Sequence, residues 1–279
     1  MKEKPFSKYQ ILANAVMIIW TLAIILPFIL LFMSSITDEN TLVANGYSFF
    51  PKKFSLASYS YIIKSGGQIL KAYGVSIGVT VVGTLLNVLL SALMAYPLSV
   101  KNLPGRNVMM FFVFFTMLFN GGIVPSYIMW TGTFHIKDTI FAQLLPNFLL
   151  SAWNVMMIRT YFTTSIPDGL YEAAEIDGAS QFTIFWKIVL PLGKPILVTM
   201  GTFAGLAYWN DWTNGLYYIV KNTGLYNVQN LLNQMVQNIQ FLTQSSNSNV
   251  TAAASTIPAT GIQMAIAFVA ILPIMLIFP

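Results

Sequence analysis

The acidic residues of one segment carry the clearest chemistry in this sequence. Asp168, Glu172, Glu175 and Asp177 fall within ten residues, interleaved with Leu170, Ala173 and Ala174. Pro167 suits the first turn of a helix, where its missing N–H costs nothing, and Asp168 there complements the helix dipole. Leu170, Ala173, Ala174 and Asp177 recur at helical spacing. Gly178 can take positive φ and end the helix, and Ser180 can cap a second one that runs into Phe182, Phe185, Trp186 and Val189. Pro191 and Pro195 then shape the entry into the next element. The spacing predicts a helix–turn–helix whose alanines permit close approach and whose Glu172 and Glu175 meet a basic partner. Other chemistry is sparse. No Gly-x-x-x-x-Gly-Lys-[Ser/Thr] loop occurs, so this chain is not expected to bind or hydrolyse ATP. No nucleophile, base and orienting residue cluster, so no enzyme activity is expected of it alone. The absence of cysteine excludes disulfides and thiolate metal sites, and the single histidine, His135, reads as a surface residue of a short connection.

The elements that position this segment follow from composition. Of 279 residues, 56% are hydrophobic and 8% charged, against about 45–50% and about 25% in soluble domains. So few charges cannot cover a water-soluble surface, and a bilayer must take up the apolar area. A helix needs about 20 apolar residues to cross it. Six runs qualify: Ile11–Ile36, Ala72–Val100, Asn107–Trp130, Thr139–Ile158, Ile184–Tyr208 and Ile257–Pro279. Lys2, Lys4 and Lys8 precede the first run as in a signal peptide, but the run exceeds an h-region of about 7–15 residues and no small-residue cleavage site follows; it reads as a retained span. The expected fold is all-α and polytopic, a single transmembrane domain over 1–279 with six transmembrane helices.

With the N-terminus placed in the cytoplasm, segments 1–10, 100–106 and 159–194 lie inside and hold eight Lys and Arg in 53 residues; segments 37–71, 132–138 and 209–256 hold six in 90. The twofold higher density inside favours this orientation. The formal charge of +5 forms no basic stripe, so the cations read as membrane-flanking anchors and nucleic acid is not an expected partner. The span interiors hold no Asp, Glu, Lys or Arg over 11–36, 72–100, 107–130, 139–158, 195–210 and 257–279. Proton-coupled carriers use such groups on the path, which argues against a secondary carrier; sodium coupling through backbone carbonyls is less firmly excluded.

The segment at 166–191 resembles the EAA loop of bacterial binding-protein-dependent ABC importers: Glu-Ala-Ala, a Gly after three residues, then Ile-x-Leu-Pro after nine. Glu172, Ala173, Ala174, Gly178, Ile188, Leu190 and Pro191 stand at that spacing. The resemblance implies the type I permease fold, with the coupling loop 159–183 seated in a cleft of a separate ATPase through Glu172, Ala173, Ala174, Asp177 and Gly178. Ser48-Phe49-Phe50-Pro51, Phe54 to Tyr59, Gly121 to Tyr127, and Trp209-Asn210-Asp211-Trp212 are similar to carbohydrate-type permeases, particularly the smaller permease of maltose-type oligosaccharide importers. It implies a second permease subunit (a heterodimer), two ATPase subunits or domains, an extracytoplasmic solute-binding protein, and membrane lipid as surroundings, in a bacterial plasma membrane. ATP and magnesium are implied for the partner ATPase and no cofactor for this chain. Amino-acid or peptide importers share the coupling loop and are the nearest alternative. Such permeases usually carry a short basic tail after the sixth span; this sequence stops at Pro279, so either that tail lies beyond it or the tail is absent, and contacts of a tail to the ATPase stay open.

Candidate path residues lie on two elements. Ser76, Thr80, Thr84, Asn87 and Ser91 fall within about an 80° arc of the second span. They can line a sugar path or join helices, and Gly74 and Gly78 at small-xxx-small spacing add to the packing reading. Trp209, Asn210 and Asp211 suit a sugar site, where rings stack and amides or carboxylates bind hydroxyls; an interfacial aromatic belt also accounts for the tryptophans. Asn120-Gly121-Gly122 marks either a broken helix or the outer end of the third span. In the extracytoplasmic loop 209–256, Val228, Leu231, Leu232, Met235, Val236, Ile239 and Leu242 form one face of an amphipathic helix whose other face is rich in Asn and Gln, with Ser245–Asn249 as a linker. The resemblance gives this loop the solute-binding protein.

Overall fold

The computed structural model describes residues 8–64, 66–244 and 259–277. Its described residues are helical apart from connections and one isolated bridge, Thr37 to Phe54, and they fall into two compact units: Met1–Ile69 with Leu231–Pro279, and Leu70–Asn230.

The first unit joins the two ends of the sequence. α1 (Lys8–Ser35), α2 (Glu39–Asn45) and α3 (Ala57–Lys64) meet α15 (Ala259–Ile277). α1 packs along α15, with the Phe32 and Phe268 rings 4.9 Å apart. The first turn of α15 has orphan N–H groups. Glu39, opening α2, accepts two of them: Thr260 N at 2.9 Å and Gly261 N at 2.8 Å. A side chain at Gly261 would sit 2.5 Å from Ser58 Oγ, so the contact requires glycine. The sides of α1 are apolar and exposed all along Tyr9–Ile29, a surface that a bilayer covers.

The second unit holds the remaining spans, and here the apolar runs and the helices part company. α4 (Gly66–Ser99) is one continuous helix long enough to cross a membrane. The run Asn107–Trp130 instead breaks into α5 (Arg106–Leu118) and α6 (Ile123–Ile128), the latter continuing through a π turn over Met129–Thr133, with a 109° bend between them. Gly122 takes φ +87° there and its N–H is held by Asn120 Oδ1 at 2.9 Å. The Asn-Gly-Gly segment is therefore a break within the element, and its residues are exposed.

The run Thr139–Ile158 is not one helix. α7 (Phe141–Leu144) stops before Pro146, Asn147 takes φ +67°, and α8 (Ala152–Ser165) starts at the Ser151 cap. Hydropathy counts Leu145, Phe148, Leu149 and Leu150 as span, but proline removes a donor and the asparagine reverses the backbone. Irregular backbone at membrane depth persists only where protein satisfies it. Tyr208 OH donates to Leu144 O (2.9 Å), Asn214 Nδ2 to Pro146 O (3.1 Å) and Asn87 Nδ2 to Phe148 O (2.6 Å).

The fifth run begins earlier than Ile184. α9 (Asp168–Ile176) leads through a turn into α10 (Gln181–Ile184), a π turn over Phe185–Val189 and α11 (Leu190–Leu192), then bends 78° into α12 (Lys194–Asn210). Gly193 occupies the elbow, where a side chain would meet the Phe162 ring at 2.6 Å. α13 (Thr213–Tyr218), a 3-10 turn at Thr223–Leu225 and α14 (Val228–Gln244) follow. Ile257, Pro258, Phe278 and Pro279 of the sixth run, and the linker Ser245–Asn249, lie outside the described residues.

Candidate coupling segment and solute path

α9 forms as the sequence dictates, with a shift of one residue at its start. Pro167 is the N-cap (ψ 136°), so Asp168 takes the first helical position. At the other end Gly178 sits at φ +71°. Ala179 N donates to Ala174 O (2.9 Å) and Gly178 N to Glu175 O (3.0 Å), the paired bonds of a Schellman cap. Ser180 Oγ accepts from Thr183 N at 3.3 Å and starts α10. The turn is thus closed by backbone bonds on one side and a side-chain cap on the other.

One face of α9 faces inward. Ala174 is buried in a core with Tyr96, Val155, Ile158, Phe162, Ile184 and Phe185, residues of α4, α8 and the α10 region. The other face is open: Glu172, Ala173, Asp177 and Gly178 are exposed, and Ile176 is 86% exposed at the tip. Ile176 thus stands beside small and acidic residues on the open face. Three contacts fix its attitude. Tyr96 OH donates to Gln181 Oε1 at 2.5 Å, Gln181 Nε2 donates to Glu175 Oε1 at 3.0 Å, and Lys101 pairs with Asp168. Tyr96 also stacks on Tyr171, ring centroids 6.5 Å apart. Spacing did not reveal the Tyr96–Gln181 and Lys101–Asp168 contacts, whose partners lie 85 and 67 residues apart. The bond also occupies one Glu175 oxygen, so Glu172 is the freer of the two glutamates for a basic partner.

The path candidates are drawn together, mostly as packing. The α4 stripe faces α12 across its glycines: a side chain at Gly205 would meet Thr84 Oγ1 at 3.4 Å, one at Gly201 the Thr84 methyl at 3.8 Å, and one at Gly83 the Tyr208 ring at 2.5 Å. Ser76 Oγ accepts from Val228 N at 2.8 Å. Asn87 Oδ1 accepts from Asn154 Nδ2 at 2.7 Å, besides its bond to Phe148 O. The Thr80, Thr84 and Ser91 hydroxyl oxygens are enclosed with no hydrogen-bond partner.

At the outer end of α12, Trp209 is buried, its ring 6.4 Å from that of Tyr73. Asn210 is the exposed member of the seven path candidates. Asp211 is 6% exposed. Its Oδ1 accepts from Thr213 Oγ1 (2.7 Å), Thr213 N (3.0 Å) and Asn214 N (3.3 Å), while Oδ2 has no partner. Burial raises the Asp211 pKa, and the Thr213 and Asn214 bonds offset part of that. Its backbone carbonyl accepts from Asn227 Nδ2 at 2.6 Å; the same nitrogen reaches Gln143 Oε1 at 2.9 Å, and Gln143 Nε2 donates to Leu225 O at 2.7 Å. Asn227 Oδ1 accepts from Asn230 N at 2.8 Å. The start of α14 is therefore fixed from its polar side as well as by buried Val228 and Leu231; Leu232, Met235 and Val236 are half-buried, and the Ile239 and Leu242 side chains lie outside the described residues. Asp138 performs a similar service nearby: its Oδ1 takes the backbone N–H groups of Val220, Lys221 and Asn222 at 2.7, 2.7 and 3.2 Å. Those bonds, Lys221 first, lower its pKa.

Comparison with known proteins agrees with this architecture. Residues 72–278 match the family described as "Binding-protein-dependent transport system inner membrane component". Protein LplC of Bacillus subtilis is 35% identical over 91% of this chain and 84% of its own length. The polygalacturonan/rhamnogalacturonan transport system permease protein YtcP of the same organism is 34% identical over 97% and 92%. A chain from the crystal structure of a bacterial ABC transporter involved in the import of the acidic polysaccharide alginate superposes with a TM-score of 0.81 at 25% identity, covering 99% of this chain and 98% of that one. With the family model matched over residues 72–278 and two relatives above 30% identity along more than nine-tenths of its length, this chain is a member of the family of inner-membrane components of binding-protein-dependent transport systems.

Proposed function

We propose that this chain is the permease subunit of an ATP-driven carbohydrate importer and forms half of the path for an oligosaccharide. Its partners in this reading are a second, similar permease, two ATPase subunits that hold ATP and magnesium, and an extracytoplasmic solute-binding protein. The observation that carries the reading is the exposed face of α9, with Ile176 at its tip, set on a core shared with α4 and α8. A force on that face passes into packed spanning helices, which interiors of such density transmit. Glu172, Ala173, Asp177 and Gly178 meet the ATPase, and Ala174 carries the movement inward. Alternating access then needs two arrangements of the spans biased from both ends, by ATP on one side and by the loaded binding protein on the other.

The carbohydrate assignment draws on the printed names of YtcP and of the alginate importer. Among the path candidates, Asn210 is the one already at the surface; Trp209 and Asp211 hold the end of α12 behind it. The higher density of Lys and Arg in the segments that hold the N-terminus and α9 supports their cytoplasmic side in this reading. Co-purification from membranes in mild detergent, followed by mass spectrometry, tests the reading. An ATPase and a second permease recovered with the chain support it. A chain recovered alone, or as a homo-oligomer without an ATPase, overturns it.

A further inference from the structure

Two arginines in the second unit have no counter-ion among the described residues. Arg106 opens α5, behind a Gly105 cap that contributes no side-chain bond, and its Nε is enclosed with no hydrogen-bond partner. Arg159, on α8 just beyond the run Thr139–Ile158, donates its Nε to Leu98 O at 3.1 Å. α5 and α8 pack together, so the two guanidiniums share one corner. Burial, and after it the positive charge of Arg106, lowers the Arg159 pKa. Among the described residues the ion pair is Lys101 with Asp168, and neither arginine belongs to one. Partly buried like charges without a counter-ion are costly. The N-terminal N–H groups of α5 add to the same positive field.

A groove has Leu98, whose carbonyl accepts from Arg159, as one of its walls. It holds about 480 Å³ and is lined by Met94 and Leu98 of α4, Met109, Phe112 and Val113 of α5, and Val155 of α8, with Thr116 at its exposed rim. Met109 and Val113 follow Arg106 at i+3 and i+7, and Val155 precedes Arg159 by four. Groove and arginines therefore lie on the same faces of the same helices. The result is an apolar slot with a cationic head, on a chain whose surroundings are lipid.

We propose that an anionic phospholipid occupies this site, its phosphate between Arg106 and Arg159 and an acyl chain in the groove. A guanidinium fork matches phosphate oxygens in pairs, and an anionic leaflet attracts cations at this depth. Leu98, Val113 and Val155 belong to the core that also contains Ala174, Ile184 and Phe185, so an occupied groove braces the packing behind α9.

The test uses the full chain, extracted in mild detergent with its bound subunits and read by native mass spectrometry. Phosphatidylglycerol, phosphatidylcholine and inorganic phosphate are the three probes. One phosphatidylglycerol should remain per copy of this chain, with phosphatidylcholine held less and inorganic phosphate failing to displace it. R106Q/R159Q should lower phosphatidylglycerol affinity on the order of thirtyfold, from two lipid-facing cations. Thr116→Trp should block the chain in the groove while leaving both charges, and it decides the matter if the double variant does not fold. R106K/R159K should recover part of the affinity, since charge remains without the fork. Retention of phosphatidylglycerol by R106Q/R159Q or by Thr116→Trp at the unmodified chain's level overturns the proposal, and so does displacement by inorganic phosphate, which would mark a simple anion site.

Discussion

Gly178 holds φ at +71° and donates its N–H to Glu175 O, two conditions that proline cannot meet. Adopting the left-handed region costs a residue with a side chain about 1–2 kcal/mol, roughly tenfold in an affinity that depends on the turn. Gly178→Pro should therefore lower ATPase co-purification about tenfold or more, with the detergent melting profile of the spans unchanged. Asp211 is a second residue whose chemistry its neighbours set. Burial raises its folded pKa above the unfolded value, so the folded state holds the proton more tightly. Its stabilising contribution is complete below the unfolded pKa and is lost as pH rises through the folded one. The thermal midpoint should fall as pH rises above the ordinary Asp range of about 4, by an increment that Asp211→Asn removes. A variant that keeps the full slope would show that another group sets it.

At the scale of the element, the seven-residue gap between α7 and α8 depends on side chains from elsewhere. Asn87 both donates to Phe148 O and accepts from Asn154. Asn87→Leu leaves a buried carbonyl and a buried amide unpaired, at about 1–3 kcal/mol each. The thermal midpoint in detergent should drop accordingly, and by much less for the exposed Lys101→Ala, whose ion pair with Asp168 lies in water. This contrast also locates what the sequence made legible. α9 and its turn were readable because caps are local: Pro167, Gly178 and Ser180 state their roles within a few residues. The polar stripe on α4 was readable as a stripe. Its partners were not, since Gly201, Gly205 and Tyr208 lie more than a hundred residues on and nothing local announces a helix crossing. The interrupted spans were hidden by averaging. A hydropathy window weighs Pro146 and Asn147 against Leu145, Phe148, Leu149 and Leu150 and sees a membrane segment, whereas the backbone responds to the proline. The contacts that sequence reading missed, Tyr96 to Gln181 and Lys101 to Asp168, each join positions more than sixty residues apart.

At the scale of the whole molecule, the orientation and the docking face make one joint prediction. The sequence has no cysteine, so Ile176→Cys places a single thiol at the most exposed apolar position of α9. A membrane-impermeant maleimide should label it in inside-out vesicles and not in right-side-out cells, and a bound ATPase should protect it. Labelling from outside would invert the topology, and labelling undiminished by a bound ATPase would remove α9 from the interface. The first unit adds a constraint of a different kind. Glu39 caps α15 across 221 residues of sequence, and α1 packs on that same helix. At about 5–20 residues per second, a ribosome needs on the order of ten to forty seconds to make the partner after it has made Glu39. Through that interval α1 waits in the bilayer without its neighbour while everything between is inserted. Completion of this unit thus waits for α15, and a chain stalled before α15 is made carries an open carboxylate where the longer chain has a closed cap.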